Sequence, residues 1–73
     1  MKYQLEPEER KFIIEEQIGE CKRIIYRNDV ENLTFTANGE KAKIKEVAYN
    51  NETLREKIDI LDEELERINK ELG

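Results

Sequence analysis

The side chains best suited to binding chemistry are basic, aromatic and amide groups near the middle of the chain. Arginine forms paired hydrogen bonds with phosphate or carboxylate, and a tyrosine ring offers a stacking face. The candidate ligand-binding residues are therefore Lys22, Arg23, Tyr26, Arg27, Asn28 and Asn51. The expected ligand is a small anion such as a nucleotide. In an alternative interpretation the charges form a solvated face, while the two asparagines bond to each other and fix helix register.

Residues for catalysis or metal binding are scarce. The chain has no His and a single Cys, Cys21, and it contains no Ser. It therefore lacks the usual catalytic triads and the ligands of ordinary zinc, copper or haem sites. Neither a P-loop nor a G-x-G-x-x-G motif is present. We expect a non-enzymatic protein with no metal and no cofactor, in which Cys21 is a small buried residue.

Length and composition set the expected class and location. The chain has 73 residues, of which 42% are charged, and its net charge is -5. This length predicts one domain, residues 1–73. No apolar run reaches the roughly 18 residues of a membrane span, and the first residues lack the apolar part of a secretory signal. A lone cysteine also fits a reducing compartment, so we expect a cytoplasmic protein with no membrane partner.

Apolar residues recur at alternating steps of three and four in two stretches. This spacing is typical of helices that pack against each other. Pro7, with acidic neighbours, marks the start of the first helix. The first stretch is Ile14, Ile18, Cys21 and Ile25, and the second, in which Asn51 is the one polar member, is Ile44, Val47, Asn51, Leu54, Ile58, Leu61, Leu65, Ile68 and Leu72.

The segment between the two stretches allows two folds. In the first, all-α fold, helix one continues to about Ala37, and the turn lies at Asn38-Gly39 with Gly39 in the left-handed conformation. The second helix then starts near Glu40. In the alternative, residues 33–45 form a β-hairpin between a helix and a C-terminal coiled-coil helix. The alternation in this segment and its Asn-Gly pair support that hairpin.

A symmetry argument favours the long antiparallel two-helix hairpin. Facing residues in such a hairpin have numbers with a constant sum. A sum of 79 places the turn beside Gly39 and aligns both apolar stretches, with Ile18 opposite Leu61. The same sum places Asn28 opposite Asn51. The sequence therefore predicts an all-α hairpin in which the polar residues of the two helices, Asn28 and Asn51, face each other.

Apolar residues outside the two stretches predict self-association. A chain this short rarely stabilises itself on one thin interface without disulfides or metal. We therefore expect a homodimer or a higher oligomer that forms a helical bundle, with a four-helix bundle of cyclic symmetry as the simplest form. The extra apolar residues are Phe12, Ile13, Ile24, Tyr26, Val30, Leu33, Tyr49 and Ile60.

Three functional hypotheses follow. The first is a homo-oligomeric binding protein that occupies a protein partner, as small viral or mobile-element inhibitors and adaptors do; this is an analogy of size. The second is an oligomer that sequesters or senses a small anionic ligand between helices near Arg27 and Asn51. Some virus-encoded nucleotide sponges are similar in architecture alone. The third is a structural or assembly protein. Residues 22–45 carry +3 and the remainder -8, which disfavours duplex nucleic acid as a partner.

Overall fold

The structure is a computed structural model that describes residues 4–73 as two long helices joined by a short turn. Helix α1 is Pro7–Ala37 and helix α2 is Lys41–Leu72. They lie side by side and antiparallel in a molecule of 50 × 24 × 14 Å. The predicted all-α helical hairpin is confirmed, and residues 33–45 contain no strand. Met1–Tyr3, part of the predicted domain, lie outside the described residues.

The first helix begins where the sequence predicts. Pro7 occupies the first turn, where its missing N–H costs no hydrogen bond, and the preceding Glu6 has an extended backbone. Glu8 and Glu9 place negative charge beside the positive end of the helix dipole. Local sequence alone accounts for this start.

The turn is a glycine-terminated helix end of the Schellman type. Gly39 has a φ of 69°, the one positive φ among residues 4–73. The Gly39 N–H donates to the Thr36 carbonyl at 3.2 Å, and the Glu40 N–H donates to the Phe35 carbonyl at 2.9 Å. These bonds satisfy carbonyls that the end of α1 would otherwise leave unpaired. The Asn38-Gly39 pair thus ends a helix and does not form a β-turn between strands.

Phe35 accounts for the helical state of a segment whose residues have weak helix preference. Its ring is half-buried against α2, and the Lys43 ammonium lies 5.3 Å from the ring centroid. Phe35 and Val47 also line the same surface depression. Because packing against a second helix outweighs intrinsic preference, α1 continues through Thr34 and Thr36 to the turn.

The interface between α1 and α2, here called the seam, follows the predicted spacing. Its buried residues are Ile18, Cys21, Val47, Asn51 and Ile68. The most buried is Ile68, which is 1% exposed and lies near the open end of the hairpin. The core is thin because two helices enclose only one row of side chains. Neither helix in residues 4–73 is long and apolar enough to cross a membrane.

Candidate functional site

The structure divides the six candidate binding residues into two groups. Lys22, Arg23, Tyr26 and Arg27 are exposed on α1 and line one solvent-open depression together with Glu20. No residue of α2 in the described chain lines this depression. The other two candidates, Asn28 and Asn51, face each other in the seam. The hairpin therefore does not bring Arg27 and Asn51 together in one pocket.

The basic group already contains its own counter-charge. The Arg23 Nε donates to the Glu20 Oε2 at 3.1 Å, and the Arg23 Nη2 lies 3.0 Å from the same oxygen. The Arg27 Nη2 lies 3.9 Å from the Glu20 Oε1. One carboxylate thus partly neutralises two guanidinium groups, which weakens the attraction of this surface for a free anion.

The asparagines form a short polar segment of the seam. The Asn28 Nδ2 donates to the Asn51 Oδ1 at 2.8 Å, and the Asn51 Nδ2 donates to the Asp29 Oδ1 at 2.9 Å. Asn51 is only 2% exposed, so both bonds are protected from water on its side. The Asn32 Oδ1 is also buried here and has no hydrogen-bond partner in residues 4–73. This geometry fixes the helix register, and the Asp29 carboxylate opposes an anion at this point.

Sequence reasoning did not identify Asp29 or the ion pair that joins the ends of the hairpin. The Arg10 Nη1 and Nη2 donate to the two carboxylate oxygens of Glu71, each at 3.1 Å, and the Arg10 Nε donates to the Leu5 carbonyl at 3.2 Å. The hydrogen bond from Arg10 holds the pKa of Glu71 below its ordinary value. The sequence does contain an indication of this ion pair, because Arg10 and Glu71 flank the seam and carry opposite charges.

Four of the five exposed large hydrophobic residues of α1, all but Ile13, follow a second regular spacing on its outer side. We call positions 12, 16, 19, 23, 26, 30, 33 and 37 the outer stripe, and they are again separated by steps of four and three. Six members are apolar, aromatic or glycine, namely Phe12, Gly19, Tyr26, Val30, Leu33 and Ala37. Phe12, Tyr26 and Leu33 are 63%, 69% and 71% exposed. At about 100° per residue the stripe lies about 130–180° from the seam.

The one cysteine lies in the seam. Cys21 is free and buried, as the sequence predicts. Its surroundings are those of a small core residue, because reactive thiols need solvent access. Across residues 4–73 no group of three or more His, Cys, Asp or Glu side chains is placed to hold a metal ion.

Comparison with known proteins gives no match. No protein-family model, curated protein or solved structure matches this chain. The functional inference is therefore carried by the residues of the hairpin itself.

Proposed function

We propose that this protein is a non-enzymatic, homo-oligomeric binding protein that acts by occupying a protein partner. The single observation that carries the proposal is the outer stripe of α1. Its three large residues, Phe12, Tyr26 and Leu33, are more than half exposed, whereas only four apolar side chains in residues 4–73 are buried. Exposed apolar surface of this regularity is typical of an interaction site.

Self-association through this stripe leaves the outer side of α2 free for a partner. That side is exposed and predominantly acidic, with Glu52, Glu56, Asp59, Glu63 and Glu66 along its length. Charge complementarity favours a protein with a basic surface as the partner. The mode of action is occupancy, since the proposal assigns no chemical step to the chain.

The test of self-association is sedimentation velocity over a range of protein concentrations. Leu33→Glu puts a charge into the stripe and is expected to weaken association at least tenfold. Ile60→Glu is the matched control, because Ile60 is 64% exposed but lies on α2. Its association is expected to equal that of the wild type. A wild-type protein that stays monomeric at high concentration would contradict the proposal, as would equal effects of the two substitutions.

The partner is tested separately by photo-crosslinking in cells. A photoreactive residue at position 59 is expected to crosslink to a basic protein. A Glu56→Lys, Glu63→Lys double variant is expected to abolish that product while oligomer size stays the same. Crosslinks to the chain itself alone, or a product insensitive to charge reversal, would contradict occupancy of a basic partner.

Sequestration of a small anionic ligand has less support. The basic group lies on one helix, and Glu20 already pairs with Arg23 and Arg27. A ligand-binding role would require phosphate or a nucleotide to displace this carboxylate. An assembly role would instead appear as growth beyond a closed oligomer with rising concentration.

A further inference from the structure

We infer that the outer stripe of α1 binds a second copy of this chain, with the two α1 helices antiparallel and a two-fold axis between Ile24 and Ile25. This inference rests on the proposed self-association and specifies its geometry. Facing stripe residues in this arrangement have numbers that sum to 49. The reason for this register is the match of sizes and charges across it.

The apolar layers pair large residues with small ones. Phe12 of one copy faces Ala37 of the other, and Gly19 faces Val30. Alternation of large and small side chains lets two helices approach closely without voids. The layers repeat on both sides of the axis, as an isologous two-fold contact requires.

The central and the polar layers also fit this register. Arg23 faces Tyr26 of the second copy on each side of the two-fold axis, so a guanidinium can lie over an aromatic ring twice. Both side chains are exposed in the hairpin, and the contact of Arg23 with Glu20 of its own chain lies at the surface, where it can be exchanged. The remaining layer places Glu16 opposite Leu33, near the edge where the carboxylate reaches water.

The charges beside the stripe complement each other in the antiparallel register. In an antiparallel helix pair, the two residue numbers in every facing layer have the same sum. Residues that flank these layers meet partners for which the sum of the two residue numbers is two larger on one flank and two smaller on the other. The hairpin obeys this rule itself, since the layers sum to 79 while Arg10 pairs with Glu71. Applied to the stripe, the rule pairs Lys22 with Asp29 and Glu20 with Arg27. Each pair occurs twice, which gives four opposite-charge contacts.

The parallel arrangement places like charges together. In parallel helices a flanking residue meets the one five positions further along the second copy. Lys22 would then face Arg27, and Glu15 would face Glu20, each twice. Like charges at these positions are destabilising. The charge pattern therefore selects the antiparallel dimer over the parallel one.

The required side chains are available in the hairpin: Glu20 binds Arg23 of its own chain through Oε2, and its Oε1 can accept from Arg27 of the second copy. Lys22 is exposed and has no ion-pair partner within residues 4–73. Asp29 accepts from Asn51 through one carboxylate oxygen, so the other oxygen remains available. Arg27 lies 3.9 Å from Glu20 in its own chain, a loose contact that can be exchanged for one between copies.

The register is tested by charge reversal in two separate variants. In a dimer of the Glu20→Arg variant, the new arginine faces Arg27 of the second copy at two places. In a dimer of the Arg27→Glu variant, the new glutamate faces Glu20 of the second copy at two places. Each variant is expected to dimerise at least tenfold more weakly than the wild type. A mixture of the two restores all opposite-charge contacts, so heterodimers are expected to form with near wild-type affinity in native mass spectrometry. Lys57→Glu, on α2, is the control and is expected to dimerise normally.

A crosslinking experiment tests the register independently of charge. In a Cys21→Ala background, Gly19→Cys and Val30→Cys are made as separate variants. The two cysteines face each other between copies, so the mixture is expected to form a disulfide-linked heterodimer. Neither variant alone should do so, because identical positions lie about 16 Å apart along the axis. In a parallel dimer each variant would crosslink to itself.

The outcomes separate the inference from the proposed function. A monomeric wild type contradicts both. A wild-type oligomer whose association is unchanged by the single charge reversals, or is not restored in the mixture, overturns the register and leaves self-association intact. Circular dichroism verifies that each variant is helical. If a charge-reversal variant does not fold, the disulfide experiment tests the register instead. Absence of the mixed crosslink in that experiment overturns the inference.

Discussion

Asn51 shows how a single residue specifies the alignment of the two helices. It is almost completely buried and uses both ends of its amide, accepting from Asn28 and donating to Asp29. A shift of α2 along α1 would break both bonds and leave a buried amide unpaired. The polar segment therefore disfavours other registers and costs some stability compared with an apolar layer.

Replacement of this residue should be destabilising. Asn51→Ala removes the acceptor of Asn28 and is expected to lower the free energy of unfolding by about 1–3 kcal/mol. The measurement is urea denaturation followed by circular dichroism, at one protein concentration because the protein is proposed to self-associate. Asn50→Ala, at the exposed neighbouring position, is the control. Equal losses for the two variants would contradict the role of the buried amide.

Ile68 makes the corresponding prediction for an apolar residue. It is the most buried side chain, so Ile68→Ala is expected to lower the free energy of unfolding by about 2–5 kcal/mol. Ile60→Ala makes the same chemical change at an exposed position of the same helix, and its expected effect is below about 0.5 kcal/mol. Thermal and urea unfolding of both variants provide the comparison. A loss below 1 kcal/mol for Ile68→Ala would show that the open end of the hairpin is not packed as described.

The sequence predicted some of these residue-level features but not others. The pairing of Asn28 with Asn51 was predicted because one sum of residue numbers, 79, aligns the regularly spaced residues of both helices. Asp29 escaped prediction because it lies beside the seam, where side-chain direction decides whether a carboxylate turns inward. The exceptional burial of Ile68 also escaped it. Leu5, Arg10 and Ile14 lie around that residue, and Leu5 belongs to a non-helical segment that carries no periodic signal.

At the scale of the elements, Gly39 determines where α1 ends. No side chain would be crowded at this position, so the need for glycine is purely conformational. Gly39→Ala is expected to cost about 1–2 kcal/mol because an alanine in the left-handed region is strained. Gly39→Asn is expected to cost less, since asparagine tolerates this conformation. Unfolding free energies that rank alanine above asparagine would contradict this account of the turn.

The ion pair of Arg10 and Glu71 joins the free ends of the two helices and gives stability a pH dependence. Hydrogen bonding lowers the pKa of Glu71 in the folded protein, so the unfolded chain binds this proton more readily. The contribution is complete above the ordinary value of 4.5 and is lost as pH falls through the lowered pKa. Arg10→Ala is therefore expected to be less stable than the wild type at pH 7, with a smaller difference in strong acid.

Urea denaturation at pH 7 and in strong acid measures how the stability difference between the wild type and Arg10→Ala changes with pH. Arg55→Ala is the control, since the nearest Glu52 oxygen is 3.8 Å from Arg55 within the same helix. A wild-type advantage over Arg10→Ala that is constant with pH would contradict the proposed contribution of the pair.

The helices themselves were predictable because their signals are strong and local. Pro7, the three-four spacing and Gly39 gave both ends of α1 and the start of α2 to within a residue or two. The segment around Phe35 was ambiguous, since its residues favour strands and only packing against α2 keeps them helical. The separation of Arg27 from Asn51 was also hard to foresee. Both residues lie at similar positions along the hairpin axis, and they differ only in the face of the helix that they occupy.

At the scale of the whole molecule, the position of the outer stripe changes the expected shape of the oligomer. A square four-helix bundle needs apolar residues beside the seam on both helices. The outer stripe instead lies nearly opposite the seam and on α1 alone. Two hairpins that meet there form a flat row with the order α2, α1, α1, α2. The proposed dimer is therefore broader than the bundle that the sequence suggested.

Small-angle X-ray scattering distinguishes the two shapes. The hairpin has a radius of gyration of 16.5 Å. With helices 8–10 Å apart, the flat row places the hairpin centres about 19 Å apart and raises the radius of gyration by about 2–3 Å. A square bundle, with centres about 10 Å apart, raises it by less than about 1 Å. The Leu33→Glu variant, at a concentration where it is monomeric, supplies the reference. An increase below 1 Å for a dimer would exclude the flat row and assign association to the sides of the hairpin.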